Sequence, residues 1–145
     1  MKGRRRARSV ALQALYELDS THHDPGTVLA HRFSDARLKP EGEAFARALV
    51  AGVLRERERL DALIQRHAPE WPIDQLAVVD RNVLRIAIFE FEIAQITPMR
   101  VAINEAVELA KEFGADSAPR FVNGVLGAIA SAPDASTEHV EAAKK

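Results

Sequence analysis

Apolar residues recur along most of this chain at intervals of three and four, the spacing that gathers them on one face of a helix. Ala7, Val10, Ala11, Ala14, Leu15 and Leu18 form the first stripe. Thr21-His22-His23-Asp24-Pro25-Gly26 interrupts it, and a short second helix is expected over residues 27–35, before a loop at Lys39-Pro40. A third helix is expected from Glu41, burying Phe45, Leu49, Gly52 and Val53. The run RERER either continues it or precedes a fourth helix, because Leu60, Leu63 and Ile64 resume the stripe. Alternating charge of that kind marks a solvated helical face.

Pro69 and Pro72 flank Trp71, the single tryptophan, and make the clearest internal boundary. Beyond it, residues 78–94 (VVDRNVLRIAIFEFEIA) are apolar around nearly the whole circumference, with Arg81, Arg85 and Glu92 as a narrow polar strip. A helix with so little wet surface is expected at the centre, enclosed by its neighbours. The next helix is expected to use Thr97 as N-cap and Pro98 as its first position, with Gly114 after the last turn. Its stripe is Ile103, Ala106, Val107, Ala110 and Phe113. The last helix should begin at Asp116 or Ser117 and run to about Ala130, burying Phe121, Val122, Val125, Leu126 and Ile129. Gly124 and Gly127 lie inside it at ~1 kcal/mol each relative to alanine. Close backbone approach to another helix is the expected compensation.

No alternating strand pattern of useful length occurs. The expectation is an all-α fold in two helical halves joined near Trp71, with residues 133–145 as a flexible polar tail. At 145 residues the chain can bury an ordinary core as a single domain. It has no cysteine, which excludes disulfides, thiolate metal sites and cysteine nucleophiles, and fits a reducing compartment. No apolar run approaches the ~18 residues of a membrane span. The basic start resembles the n-region of a signal peptide, but Gln13 and Glu17 make the segment after it too polar to be a signal's apolar core. A cytoplasmic protein that keeps its basic start is the simplest expectation.

Charge changes the picture most. The formal net charge is only −1, yet Lys2, Arg4, Arg5, Arg6 and Arg8 crowd the first eight positions. These five of the twenty basic residues leave fifteen to face twenty-one acidic ones over the rest of the chain. Arginine forks bind phosphates bidentately and stack on bases. If the first helix begins near Arg4, then Arg4 and Arg8 are one turn apart, and Arg5 lies along the flank of Leu12 and Tyr16. The tyrosine ring is a stacking platform for an unpaired base. Contact with five phosphates of one strand predicts a log–log salt slope of about −3 to −4. The plainer alternative is a basic tail without a specific partner, and acidic lipid is a weaker one, because the apolar face behind the arginines is needed for the core.

Catalytic constellations are missing: there is no G-x-S-x-G, no phosphate-cradling glycine loop, no H-E-x-x-H and no dinucleotide fingerprint. His22-His23-Asp24 reads as a solvated loop, since neighbours in a turn converge poorly on a metal. Glu105, Glu108 and Glu112 share a helix face but lack the Glu-x-x-His partners of a carboxylate-bridged metal site, and read as surface. No cofactor is expected. Asp80 and Glu90 fall within the apolar arc of the central helix, and buried carboxylates need partners. Either arginines of this chain satisfy them or a docked protein does.

RRRARSVALQALY, DRNVLRIAIFEFE and VAINEAVELAKEFGADSAPRFVNGVLGAIA together resemble the NusB family of transcription antitermination factors, over residues 1–132. AINEAVELAKEFG and FVNGVL, at this separation, are the most specific pieces. The resemblance implies two three-helix subdomains (about 1–68 and 73–132) with an extra helix. It also implies binding of the single-stranded box A element of nascent ribosomal RNA leaders, jointly with the small-subunit ribosomal protein NusE, within the elongation complex of RNA polymerase and other Nus factors. The RNA contacts implied are Lys2, Arg4, Arg5, Arg6, Arg8 and Tyr16, with a further patch at Asp116, Ser117, Arg120 and Phe121. Asp80 is implied as a contact for the ribosomal protein, with Arg81 and Leu84 as neighbours. Ala118-Pro119 depart from the more polar residues expected in that turn. Two other readings remain: a helical protein–protein adaptor, and the NusB-like part of a ribosomal RNA methyltransferase. The latter needs a Rossmann-like domain that these 145 residues are not expected to contain.

Overall fold

The computed structural model describes residues 2–132, and the expected flexible tail lies outside them. Its α-helices, in chain order, are α1 (Lys2–Ser20), α2 (Pro25–Ala36), α3 (Pro40–Arg55), α4 (Arg57–His67), α5 (Val78–Ile88), α6 (Met99–Phe113) and α7 (Ala118–Ser131). No strand occurs among the described residues. The RERER run therefore ends one helix and starts another, with Glu56 between them.

α1 packs on α2, α3 and α5, while α5, α6 and α7 pack on one another and α4 lies mainly against α5 and α7. One continuous apolar core joins them, from Ala7, Leu12 and Leu15 through Leu49 and Val53 to Leu84, Ile88 and Leu126. α5 is central, as its apolar circumference requires: Val83, Leu84, Ile86, Ala87 and Ile88 are all buried. Its neighbour α3 comes so close that a Cβ on Gly52 would collide with the Phe89 ring. Only glycine leaves room there.

Three local expectations are corrected. Thr97 does not cap α6; that position falls to Pro98, and the buried Thr97 hydroxyl instead donates to Glu90 Oε1 at 2.6 Å. Glu90 sits in a π-helical turn, Phe89–Ile93, that continues α5, and its carbonyl accepts from the N–H groups of Ile96 and Thr97. Gly124 and Gly127 meet open space, so close helix approach is not their compensation. Lastly, the strip of Arg81 and Arg85 is not wet. Arg85 is buried and grips Asp61 through Nε (2.7 Å) and Nη2 (3.0 Å), while its Nη1 reaches Asp19 (3.1 Å).

Candidate nucleic-acid and partner interface

The four arginines of RRRAR lie on successive faces of α1, about 100° apart per residue, so neighbours in sequence meet different environments. Arg4 is exposed, and its guanidinium lies 4.5 Å from the centre of the Phe45 ring. Arg5 is 58% exposed but forms a fork with Glu105 of α6, with Nε and Nη2 each 2.9 Å from a carboxylate oxygen. The hydrogen bonds and charge of Arg5 outweigh burial and hold the Glu105 carboxyl below its ordinary range. Arg6 is exposed and donates through Nη2 to the Ala36 carbonyl at the end of α2.

Arg8 is the correction. It is 2% exposed, with Nε 2.9 Å and Nη2 2.7 Å from the two oxygens of Glu90, itself 1% exposed. The expected phosphate ligand is the internal counter-ion of the central helix. In this fold no nucleic acid reaches it. Of Lys2 only the backbone, at the start of α1, is described.

Tyr16 is 47% exposed and lines an open cleft of about 410 Å³ with Gln13, Arg32, Val79 and Phe113. The implied RNA tyrosine thus shares a cleft with the residue before Asp80. Asp80 itself is half-buried, and its Oδ1 is shielded from solvent with no hydrogen-bond partner among the described residues. Burial pushes its carboxyl above the ordinary range. Arg81, beside it, turns inward: Nε donates to Asp19 at 2.7 Å, and Nη1 approaches the carbonyls of Ile73, Asp74 and Leu76. Leu84 is wholly buried and cannot touch a partner. Of the three implied partner contacts, Asp80 alone has a solvent-shielded polar atom without a hydrogen-bond partner among the described residues.

Asp116 and Ser117 are exposed in the turn before α7. Arg120 and Phe121 line a shallow cleft of about 290 Å³ with His67, Glu70 and Trp71. The sequence marked Trp71 only as a boundary, yet it is 55% exposed beside these residues. Two features had no signal in the sequence at all: Phe45 as the seat of Arg4, and Lys39 beside it. Their placement is tertiary, since they lie more than thirty residues from the arginines. Of the metal near-misses, Asp24 caps α2 by accepting from the Thr27 N–H at 3.0 Å, and His23 lies 2.7 Å from Glu17.

No helix among the described residues is long and apolar enough to cross a membrane. Comparison with known proteins agrees with this architecture. The sequence model of the NusB family matches residues 5–131. A transcription antitermination protein NusB of Roseiflexus sp. (strain RS-1) is 52% identical over 130 residues, covering 88% of this chain and 92% of that protein. A NusB structure from T. maritima aligns with a TM-score of 0.81 at 34% identity, over 88% of this chain and 89% of that one. A chain in a crystal structure of antitermination factors NusB and NusE in complex with dsRNA aligns at 0.81 and 31% identity, over 89% of this chain and 96% of that one. On sequence and fold together, the chain belongs to the NusB family.

Proposed function

We propose that this chain is an RNA-binding transcription antitermination factor that acts with NusE and performs no chemistry of its own. The observation that carries this reading is the match, across nearly its whole length, to a chain solved in a NusB–NusE–RNA assembly. Its own surface supports it: Arg4, Arg5 and Arg6 stand exposed on the first turns of α1. Only Arg5 of these has a carboxylate within 4.0 Å among the described residues. The finer reading is that the RNA is the single-stranded box A element of a ribosomal RNA leader, engaged in the cytoplasm as part of the elongation complex. Asp80 then receives a basic group of NusE, which supplies the partner its carboxylate lacks within this fold.

The test is a titration of labelled box A RNA, single-stranded and duplex, with and without NusE, at two salt concentrations. NusE should tighten binding to the single strand, and the doubly substituted Arg4→Ala, Arg6→Ala protein should lose most of that affinity. Weak binding indifferent to NusE points instead to the adaptor. Preference for the duplex overturns the single-strand assignment.

A further inference from the structure

α2 ends on Arg37 in the left-handed region (φ 53°, ψ 50°), and the chain turns there so that the start of α3 lies beside the first turn of α1. Between them opens a cleft of about 480 Å³. Arg4, Arg6 and Lys39 wall it, with Phe45 and Gly42 also lining it and Glu41 as its acid. None of these three cations has a carboxylate within 4.0 Å among the described residues, Glu41 included.

Exposed cations such as Arg100 and Arg120 also lack a carboxylate among the described residues, so what distinguishes these three is that they converge on one cleft. Arg5, Arg8, Arg32, Arg57, Arg81 and Arg85 are each paired with a carboxylate of this chain. The cleft holds three positive charges against one negative charge, and like charges gathered in a concave site raise the local concentration of anions. The donors suit a phosphate. The Arg4 guanidinium lies over the Phe45 ring, a contact that uses none of its N–H donors. Arg6 uses Nη2 on the Ala36 carbonyl and keeps its other donors. Lys39 adds a compact charge on a flexible stem.

We propose that this cleft holds a backbone phosphate of the bound RNA strand and that Lys39 is its third ligand. The strand is thereby carried past the start of α1 onto the α2–α3 turn. This rests on the RNA-binding reading above. A site of this kind senses charge and not base identity, because contacts to phosphate oxygens carry no direct sequence information.

The experiment measures anisotropy of a labelled single-stranded box A RNA against the full chain, with NusE present, across a series of KCl concentrations. Lys39→Gln should weaken binding about three- to tenfold, to a similar extent for a scrambled RNA, and reduce the log–log salt slope by about 0.7. Lys39→Arg should restore both. Arg100→Gln, which removes an exposed cation elsewhere, is the control for loss of net charge. Lys39 is exposed, so both variants should melt with the parent.

If Lys39→Gln behaves like Arg100→Gln while the parent binds RNA, the cleft assignment fails and the function stands. If Lys39→Gln weakens NusE binding without RNA present, the cleft belongs to the protein partner and the assignment is again overturned. A parent that binds no RNA overturns both.

Discussion

The central helix carries two carboxylates on its apolar arc, ten residues apart, and the fold treats them oppositely. Glu90, in the π turn, is buried and saturated: Arg8 supplies a fork, and Thr97 supplies a hydroxyl. Asp80, in the first turn of α5, has an oxygen hidden from water and no donor to meet it among the described residues. The two share one arc in a helical-wheel projection and differ in what the rest of the chain brings to them. A buried acid that is satisfied belongs to the architecture, and the one left wanting is, on the function proposed above, the place offered to NusE. RRRAR divides in the same way, with Arg8 turned inward and Arg4 and Arg6 left outside.

The sharpest way to break this contrast is Arg8→Ala. It leaves Glu90 charged in the core, and urea unfolding should show a loss of about 3–5 kcal/mol. The double change Arg8→Met, Glu90→Leu should recover most of that loss, since apolar pairs of similar volume replace buried ion pairs at little cost. If the double variant is as unstable as the single one, the pair does more than neutralise itself.

A smaller effect comes from the opposite face of α5. Burial pushes the Asp19 carboxyl up, but hydrogen bonds from Arg81 and Asn82 and the charges of Arg85 and Arg81 overcome it and hold the group at about 2, below an ordinary 3.8. A depressed acid stabilises the fold above its ordinary value, and that stabilisation is lost as pH falls through its folded value. Asp19 therefore contributes ~2 kcal/mol at neutral pH, which should disappear progressively between about pH 4 and pH 2. Asp19→Asn should lower stability at pH 7 and converge with the parent near pH 2, as followed by urea midpoints across that range. A difference independent of pH would contradict the ionic account.

Asp80 should give the smallest change and the opposite sign. Its carboxyl is raised by burial alone, so ionisation costs the free protein stability above the ordinary carboxylate range and nothing below it. Removing the charge with Asp80→Asn should raise the melting temperature slightly at pH 7 and leave it unchanged near pH 3. The same variant should bind NusE more weakly, by isothermal titration. A destabilised Asp80→Asn protein would show that the acid already has a partner within the fold.

Much of the fold was legible in the residues. The prolines around Trp71 marked the break between α4 and α5, and apolar spacing located the helical segments and the centrality of α5, because a helix writes its buried face into its own three- and four-residue rhythm. It left open whether RERER joins α3 to α4, since both share one stripe. The misreadings have a common cause. Thr97 looked like a cap, but the chain turns earlier, at Gln95, whose φ of 53° no glycine announces. Arg37 adopts the same φ of 53° without a glycine, though the loop it opens was expected at Lys39-Pro40 and is found there. Arg85 looked solvated because the wheel does not show Asp19 and Asp61 approaching from α1 and α4.

The candidate site obeys the same rule. Arginine crowded at the start of α1 and an acid on the apolar arc at position 80 are visible in the residues themselves. Which arginine faces out is not. That was decided by Glu90, 82 residues along the chain from Arg8, whereas Glu105, 100 residues from Arg5, pairs an arginine that stays exposed. Periodicity is a local property, fixed within a few turns of backbone, and so the sequence alone determined the helices and their apolar faces. The pairing of charges depends on which helices meet in space, and only the packed structure decided which cations are spent inside and which stay exposed.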